Sequence, residues 1–144
     1  MEFSGVKDQP TVVVGTIGHD AHIVGASVIK YALEEAGFKV VFLGAVVPPE
    51  EFIRAAIETA ADAILVSSLY GMARIDCANF GAKCHEAGLE HVKLYLGGIL
   101  VTDPEDWEDT EKLFKNFGFH RVYPPQTKPA VAIADLKNDL GLPT

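Results

Sequence analysis

A histidine and an aspartate two residues apart give this sequence its clearest capacity for chemistry. Asp20 and His22 lie in a short segment bracketed by Gly18 and Gly25. A neutral imidazole is the commonest metal-binding side chain, and a carboxylate that accepts the proton of its second nitrogen fixes the tautomer and orientation of the ring. We interpret His22 as a metal ligand and Asp20 as its orienting partner. Taken alone, the pair also fits a packed histidine and an aspartate that caps the following helix.

The segments on either side of this loop predict how it is positioned. An apolar run at 11–17 precedes the loop, and apolar residues with helical spacing follow it at 26–36. A strand, a loop and a helix in this order place the loop at the carboxyl end of the strand. Open α/β sheets bind their ligands at that edge, so we expect His22 to lie in a ligand site.

The rest of the chain repeats the same alternation. Apolar runs predict strands at 11–17, 38–43, 63–66, 92–96 and 119–123, with a turn at 44–49. Helical patterns occupy 26–36, 52–60, 72–87, 103–117 and 129–140. Strands that alternate with helices predict a parallel sheet covered on both faces. Five such units fit a flavodoxin-like α/β fold with strand order 2-1-3-4-5, and we expect one domain over 1–144 with a polar extension at 1–10.

Composition excludes several classes of function. The net charge is -8, from 12 basic and 20 acidic side chains, which argues against binding to nucleic acid or to an anionic membrane. The first ten residues lack the apolar core of a signal peptide, and no apolar run is long enough to span a bilayer. We therefore expect a cytoplasmic protein. Cys77 and Cys84 fall in one predicted helix, separated by roughly 10 Å along its axis, so we expect reduced, packed thiols.

Glycines, hydroxyls and one tyrosine follow the other strands at the same predicted edge. Ser67 and Ser68 end the third strand, Gly97 and Gly98 end the fourth, and Tyr123 ends the fifth. A phosphate-accepting receiver domain needs an aspartate after strand three and a lysine after strand five, and neither is present. The segment 15–18 does not match the G-x-G-x-x-G phosphate loop. Flavodoxins need a first loop rich in hydroxyls, which 19–22 does not supply.

Three short motifs carry a resemblance to cobalamin-binding domains. Residues 20–25 have the pattern D-x-H-x-x-G, residues 67–69 have S-x-L, and residues 97–98 are a glycine pair. Each motif follows its expected strand, and we find no departure at these positions. The resemblance implies that His22 replaces the coenzyme's own dimethylbenzimidazole base beneath cobalt. It also implies that Asp20 orients the imidazole and that the displaced nucleotide tail enters a slot between the sheet and a helix.

The resemblance also implies roles for the other motif residues. Gly25, Gly97 and Gly98 would let the backbone approach the tail closely. Ser67 would donate a hydrogen bond to the tail, Leu69 would contact the corrin, and Tyr123 would close the slot. Ser68 points in the opposite direction to Ser67, and His19 is not interpreted as a second metal ligand. The binding positions that the resemblance implies are His19, Asp20, Ala21, His22, Ile23, Gly25, Ser67, Ser68, Leu69, Gly97, Gly98, Ile99 and Tyr123.

Within that family, segments 67–71, 75–77, 83–84, 86–89 and 121–125 resemble the small (sigma) subunits of glutamate mutases. This resemblance implies adenosylcobalamin as cofactor and a larger (β/α)8-barrel subunit that binds glutamate. It implies a radical interconversion of L-glutamate and threo-3-methylaspartate, with no catalytic residue in this chain beyond the cofactor. Two alternatives stay open: a corrinoid carrier for methyl transfer, and a non-corrinoid metal or small-ligand module that uses His19, Asp20 and His22.

Overall fold

The computed structural model describes residues 9–17, 24–68, 75, 77–98, 107–124 and 127–142. Five parallel strands form one sheet in the order β2-β1-β3-β4-β5. The strands are β1 (Thr11–Ile17), β2 (Lys39–Val47), β3 (Ala63–Ser68), β4 (Lys93–Gly98) and β5 (Arg121–Val122). The helices are α1 (Val24–Glu35), α2 (Pro49–Thr59), α3 (Phe80–Glu86), α4 (Trp107–Asn116) and α5 (Pro129–Asp139). The predicted flavodoxin-like strand order is confirmed.

The sheet separates two layers of core, one on each face. All seven residues of β1 are buried, as expected for the central strand of a parallel sheet that is covered on both sides. Val12 and Val14 pack with residues of α1 and α5, whereas Val13 and Ile17 pack with residues of α2, α3 and α4. This alternation follows from the two-residue period of a strand, and it assigns each side chain near the sheet edge to one layer.

The second strand is longer than its apolar pattern predicts. The turn expected at 44–49 is wrong, because β2 continues to Val47 and pairs again with β1 at Ile17. The register of this pairing shifts between Val14 and Gly15 and again between Gly15 and Ile17. Gly44 and Val46 have positive φ angles of 83° and 57°. Branched residues rarely adopt this left-handed conformation, and an apolar pattern does not indicate that Val46 does.

The predicted helix over 72–87 is also wrong over part of its length. Residues 77–79 form a turn, and α3 begins at Phe80. Asn79 has a φ angle of 63°, a left-handed conformation that asparagine tolerates better than most residues. The two cysteines therefore do not share one helix. Both are buried and neither forms a disulfide, so the expectation of packed thiols is confirmed for a different reason.

The remaining boundaries differ by smaller amounts. The pairing of β5 covers only two residues, rather than the five predicted at 119–123. The helix start predicted at 103–104 lies outside the described residues, and α4 is described from Trp107. No helix in the described parts of the chain combines the length and apolar character needed to cross a membrane.

Candidate functional site

A cavity of about 240 Å³ lies at the carboxyl edge of the sheet, on the face covered by α1 and α5. Val14, Leu65 and Tyr95 contribute its sheet side, while Ile29 of α1 and Ala132 of α5 contribute its helical side. Most of this lining is apolar. The volume is below the roughly 300–1,000 Å³ typical of pockets for drug-sized ligands.

The pairing of β3 with β4 determines which side chains line the cavity. Leu65 pairs with Tyr95, and Ser67 pairs with Gly97 two residues further on. These four positions share one face because side chains alternate along a strand. The apolar base of the cavity therefore ends in a partly exposed serine opposite a glycine. Ser67 supplies one hydroxyl at the point where a ligand would leave the apolar part.

The two consecutive glycines that end β4 have different structural constraints. A Cβ atom on Gly98 would lie 1.9 Å from the carbonyl oxygen of Ser68, and Gly98 has a φ of +110°. The close approach of β3 therefore requires glycine at this position. Among the described residues, a Cβ on Gly97 would approach only the Cβ of Tyr123, at an ordinary distance of 3.7 Å. The packing of these residues leaves room for a methyl group at Gly97, which lines the cavity.

Two tyrosines of the cavity lining are joined to helix α5 through their hydroxyl groups. The Tyr123 hydroxyl donates to Asp135 Oδ2 at 2.7 Å, and the Tyr95 hydroxyl donates to Asp139 Oδ2. The two rings contact each other edge to face, with 5.9 Å between centroids. Arg121 Nε and Nη2 donate to Asp139 at 2.8 and 2.9 Å. A bidentate arginine–carboxylate pair of this kind combines charge with defined geometry.

Ionisation of this cluster is fixed across the neutral range. Hydrogen bonds from Arg121 lower the pKa of Asp139 from 3.8 to about 2, and the same interaction raises the pKa of Arg121. Burial, followed by the hydrogen bonds to the carboxylates, raises the pKa of both Tyr95 and Tyr123. Both phenols therefore stay protonated and donate, while Asp139 stays ionised and accepts.

The structure brings together part of the predicted site. Ser67, Gly97, Gly98 and Tyr123 all line the cavity. Ser68 is completely buried and is not part of the lining, which agrees with its predicted opposite direction. Gly25 falls in the first turn of α1. The other predicted positions lie outside the described residues: His19, Asp20, Ala21, His22, Ile23, Leu69 and Ile99. Cobalt ligation by His22 accordingly stays a prediction.

Sequence reasoning missed the contribution of α5 and of Tyr95. Tyr95 is 1% exposed and belongs to an apolar run, so its pattern indicated a core residue only. Asp135 and Asp139 are four residues apart, a spacing that places both on one face of a helix. That spacing, together with the Lys128–Pro129 helix start, is the signal that could have indicated a polar face on this helix.

An open parallel sheet with an apolar slot at its carboxyl edge defines a ligand-binding α/β protein. Residues 10–118 match the B12 binding domain model, and the chain belongs to that family. It is also 53% identical over 135 residues to the glutamate mutase sigma subunit of Clostridium tetani, which covers 94% of this chain and 98% of that relative. Identity and coverage are the same for the glutamate mutase sigma subunit of Clostridium cochlearium. The family resemblance predicted from the three motifs is confirmed.

Solved structures agree with the observed topology. A cobalamin-binding protein from Desulfitobacterium hafniense superposes with a TM-score of 0.76 at 20% sequence identity. The match covers 92% of this chain and 60% of that protein. At this identity the similarity concerns the fold, and it supports the strand order derived above.

Proposed function

We propose that this chain is the adenosylcobalamin-binding subunit of a glutamate mutase. The observation that carries the proposal is the 53% identity to glutamate mutase sigma subunits over 98% of their length. The slot at the carboxyl edge supports it independently, because this edge is where open α/β sheets bind ligands. The proposed reaction interconverts L-glutamate and threo-3-methylaspartate, together with a larger (β/α)8-barrel subunit that binds glutamate.

The chemistry of the cavity fits the dimethylbenzimidazole end of the cofactor. A flat, apolar aromatic base matches a lining built from Val14, Leu65 and two tyrosine rings. The nucleotide tail continues into ribose and phosphate, and the Ser67 hydroxyl stands where such polar atoms would pass. Gly97 leaves the intervening space open. A volume of about 240 Å³ suits this fragment and is too small for the corrin ring.

With the base in the slot, cobalt needs another lower ligand. We propose that His22 supplies it and that Asp20 accepts the proton of its other ring nitrogen, which fixes the tautomer and raises basicity. When bound, adenosylcobalamin supplies a cobalt–carbon bond whose homolysis starts the radical rearrangement. This chain binds the cofactor and orients it. Exclusion of water and of competing reactions falls to protein around the reactive face, which we assign to the barrel subunit.

The test uses purified protein and adenosylcobalamin. Bound cofactor should keep the visible spectrum of nitrogen-ligated cobalt, because His22 would replace one nitrogen base by another. His22→Ala should give the base-off spectrum or lose binding, whereas His85→Ala should behave as the wild type does, because the His85 side chain is 74% exposed. Electron paramagnetic resonance of the bound, reduced cofactor should show coupling to an isotopically labelled histidine nitrogen. Coupling to the benzimidazole nitrogen instead would contradict the ligand assignment.

A second measurement addresses the reaction. The chain is mixed with a barrel subunit, adenosylcobalamin and L-glutamate, and formation of threo-3-methylaspartate is followed. Product formation that requires both proteins supports the mutase assignment. Cofactor binding without any glutamate-dependent reaction would instead favour a carrier of corrinoid methyl groups.

A further inference from the structure

We infer that Asp135 and Asp139 are positioning residues that set the width of the slot for the nucleotide tail. The inference deepens the proposed function and rests on it, because the slot is assigned to a cobalamin fragment. It concerns the wall formed by α5, a helix that lies outside the three motifs of the sequence.

The first observation is that each carboxylate holds one ring of the lining. Tyr123 donates to Asp135 at 2.7 Å, and Tyr95 donates to Asp139. Both rings line the cavity, and neither hydroxyl is directed at a ligand, since each already bonds to a carboxylate. A phenol that is fixed at its hydroxyl cannot tilt freely about its ring axis. The two hydrogen bonds therefore determine how far the rings extend into the slot.

The second observation is that Arg121 joins the two carboxylates. Its guanidinium binds Asp139 through two nitrogens and approaches Asp135 Oδ1 at 3.5 Å. Arg121 belongs to β5, so the cluster connects the edge strand of the sheet to one face of α5. The burial of these groups is partial, with side-chain exposures of 35% for Arg121 and 18% for Asp139. The interaction is thus protected in part from screening by solvent.

The third observation is that α5 itself forms the opposite wall. Pro129 and Ala132, in its first turn and just beyond, line the same cavity as the two tyrosines. Asp135 and Asp139 lie one and two turns further along the same helix. A helix is rigid over this length, so the carboxylates fix both the tilt of the rings and the position of the wall. Loss of one hydrogen bond should widen the slot and reduce its contact with a flat aromatic base.

The experiment removes the hydroxyls and retains the rings. Tyr95→Phe and Tyr123→Phe are compared with the control Glu111→Gln, which breaks the surface pair between Glu111 and Lys115 on α4, at 3.4 Å. Dissociation constants are measured for adenosylcobalamin and for adenosylcobinamide, which lacks the nucleotide tail. Urea denaturation of each variant reports its stability separately.

The expected result is specific to the tail. Each Tyr→Phe variant should bind adenosylcobalamin about tenfold more weakly, the change that corresponds to one lost hydrogen bond, with unchanged binding of adenosylcobinamide. Glu111→Gln should bind both probes as the wild type does. Equal weakening for both probes, or unchanged binding of adenosylcobalamin, would overturn the inference. Failure of the wild type to bind adenosylcobalamin would instead overturn the proposed function.

Discussion

The glycine pair at the end of β4 provides a test in which adjacent residues should respond in opposite ways. Gly98→Ala should destabilise the fold, because the new methyl group would lie 1.9 Å from the Ser68 carbonyl oxygen at a φ of +110°. An unfavourable backbone conformation costs about 1–3 kcal/mol, and overpacking costs about 1–3 kcal/mol more. The sum of about 2–6 kcal/mol is a large part of the roughly 5–15 kcal/mol that stabilises a domain.

Gly97→Ala should leave stability unchanged or raise it slightly. The added Cβ would have an ordinary contact of 3.7 Å with Tyr123, and Gly97 does not have a positive φ. Replacing glycine by alanine in a compatible conformation stabilises by about 0.4–1 kcal/mol through the unfolded state. The same methyl group occupies space in the proposed tail slot. Overpacking by about 1–3 kcal/mol corresponds to roughly 5- to 150-fold weaker binding of adenosylcobalamin.

Two measurements on each variant separate these effects. Urea denaturation gives the free energy of unfolding without cofactor, and a spectrophotometric titration gives the dissociation constant for adenosylcobalamin. We expect Gly98→Ala to lose stability and Gly97→Ala to lose affinity only. A Gly98→Ala protein as stable as the wild type would refute the close approach of β3 and β4. A Gly97→Ala protein with wild-type affinity would refute the placement of the tail beside Gly97.

Two further predictions concern groups outside the slot. Burial raises the pKa of the Cys84 thiol to about 11, so at pH 8 only about one thiol in a thousand is the reactive thiolate. Cys77 and Cys84 should therefore resist iodoacetamide until denaturant is added. Rapid labelling of the native protein would contradict their burial. Burial, with a smaller contribution from Lys93, lowers the pKa of His120, whose Nδ1 accepts the Leu94 backbone N–H at 2.9 Å. Since the unfolded state then binds more protons, stability should be full above about pH 6.5 and fall as pH drops below it. Protonation of His120 would remove this hydrogen bond, and a loss of about 1 kcal/mol should lower Tm by about 2–4 °C. A Tm that depends on pH as strongly in His120→Gln as in the wild type would argue against this origin.

The sequence was sufficient for the sheet because its strands are buried on both faces. In β1 and β3, the residues at 11–17 and 63–66 are nearly all apolar. Such a run indicates a strand that is buried on both faces, and no alternation of polar and apolar residues is needed to recognise it. The alternation of these strands with helices predicted a parallel sheet, and five such units fitted the strand order 2-1-3-4-5. The signal fails where the backbone leaves regular geometry. Val46 and Asn79 both have positive φ angles, and neither was predictable from local pattern.

The slot was predictable only in part for a related reason. Ser67 and Gly97 follow their strands directly, so the topology alone places them at one edge. Tyr95 and Asp139 are 44 residues apart, and their hydrogen bond forms only after α5 has packed on the sheet. No periodicity in the sequence connects a tyrosine in a buried strand with an aspartate on the last helix. Long-range polar pairs of this kind require the folded structure.

The size of the slot has a consequence for how the proposed complex must work. In the proposed complex, a cavity of about 240 Å³ would hold the benzimidazole end of the cofactor, and the corrin ring would lie outside it. The tail would then anchor the cofactor from the side of this chain, and the adenosyl group would face away from it. A radical formed there reacts with water or oxygen unless other protein covers it. Binding strength and reactivity should accordingly be separable: substitutions at Gly97 should change the affinity for cofactor, whereas contacts made by the barrel subunit should govern the rate of homolysis.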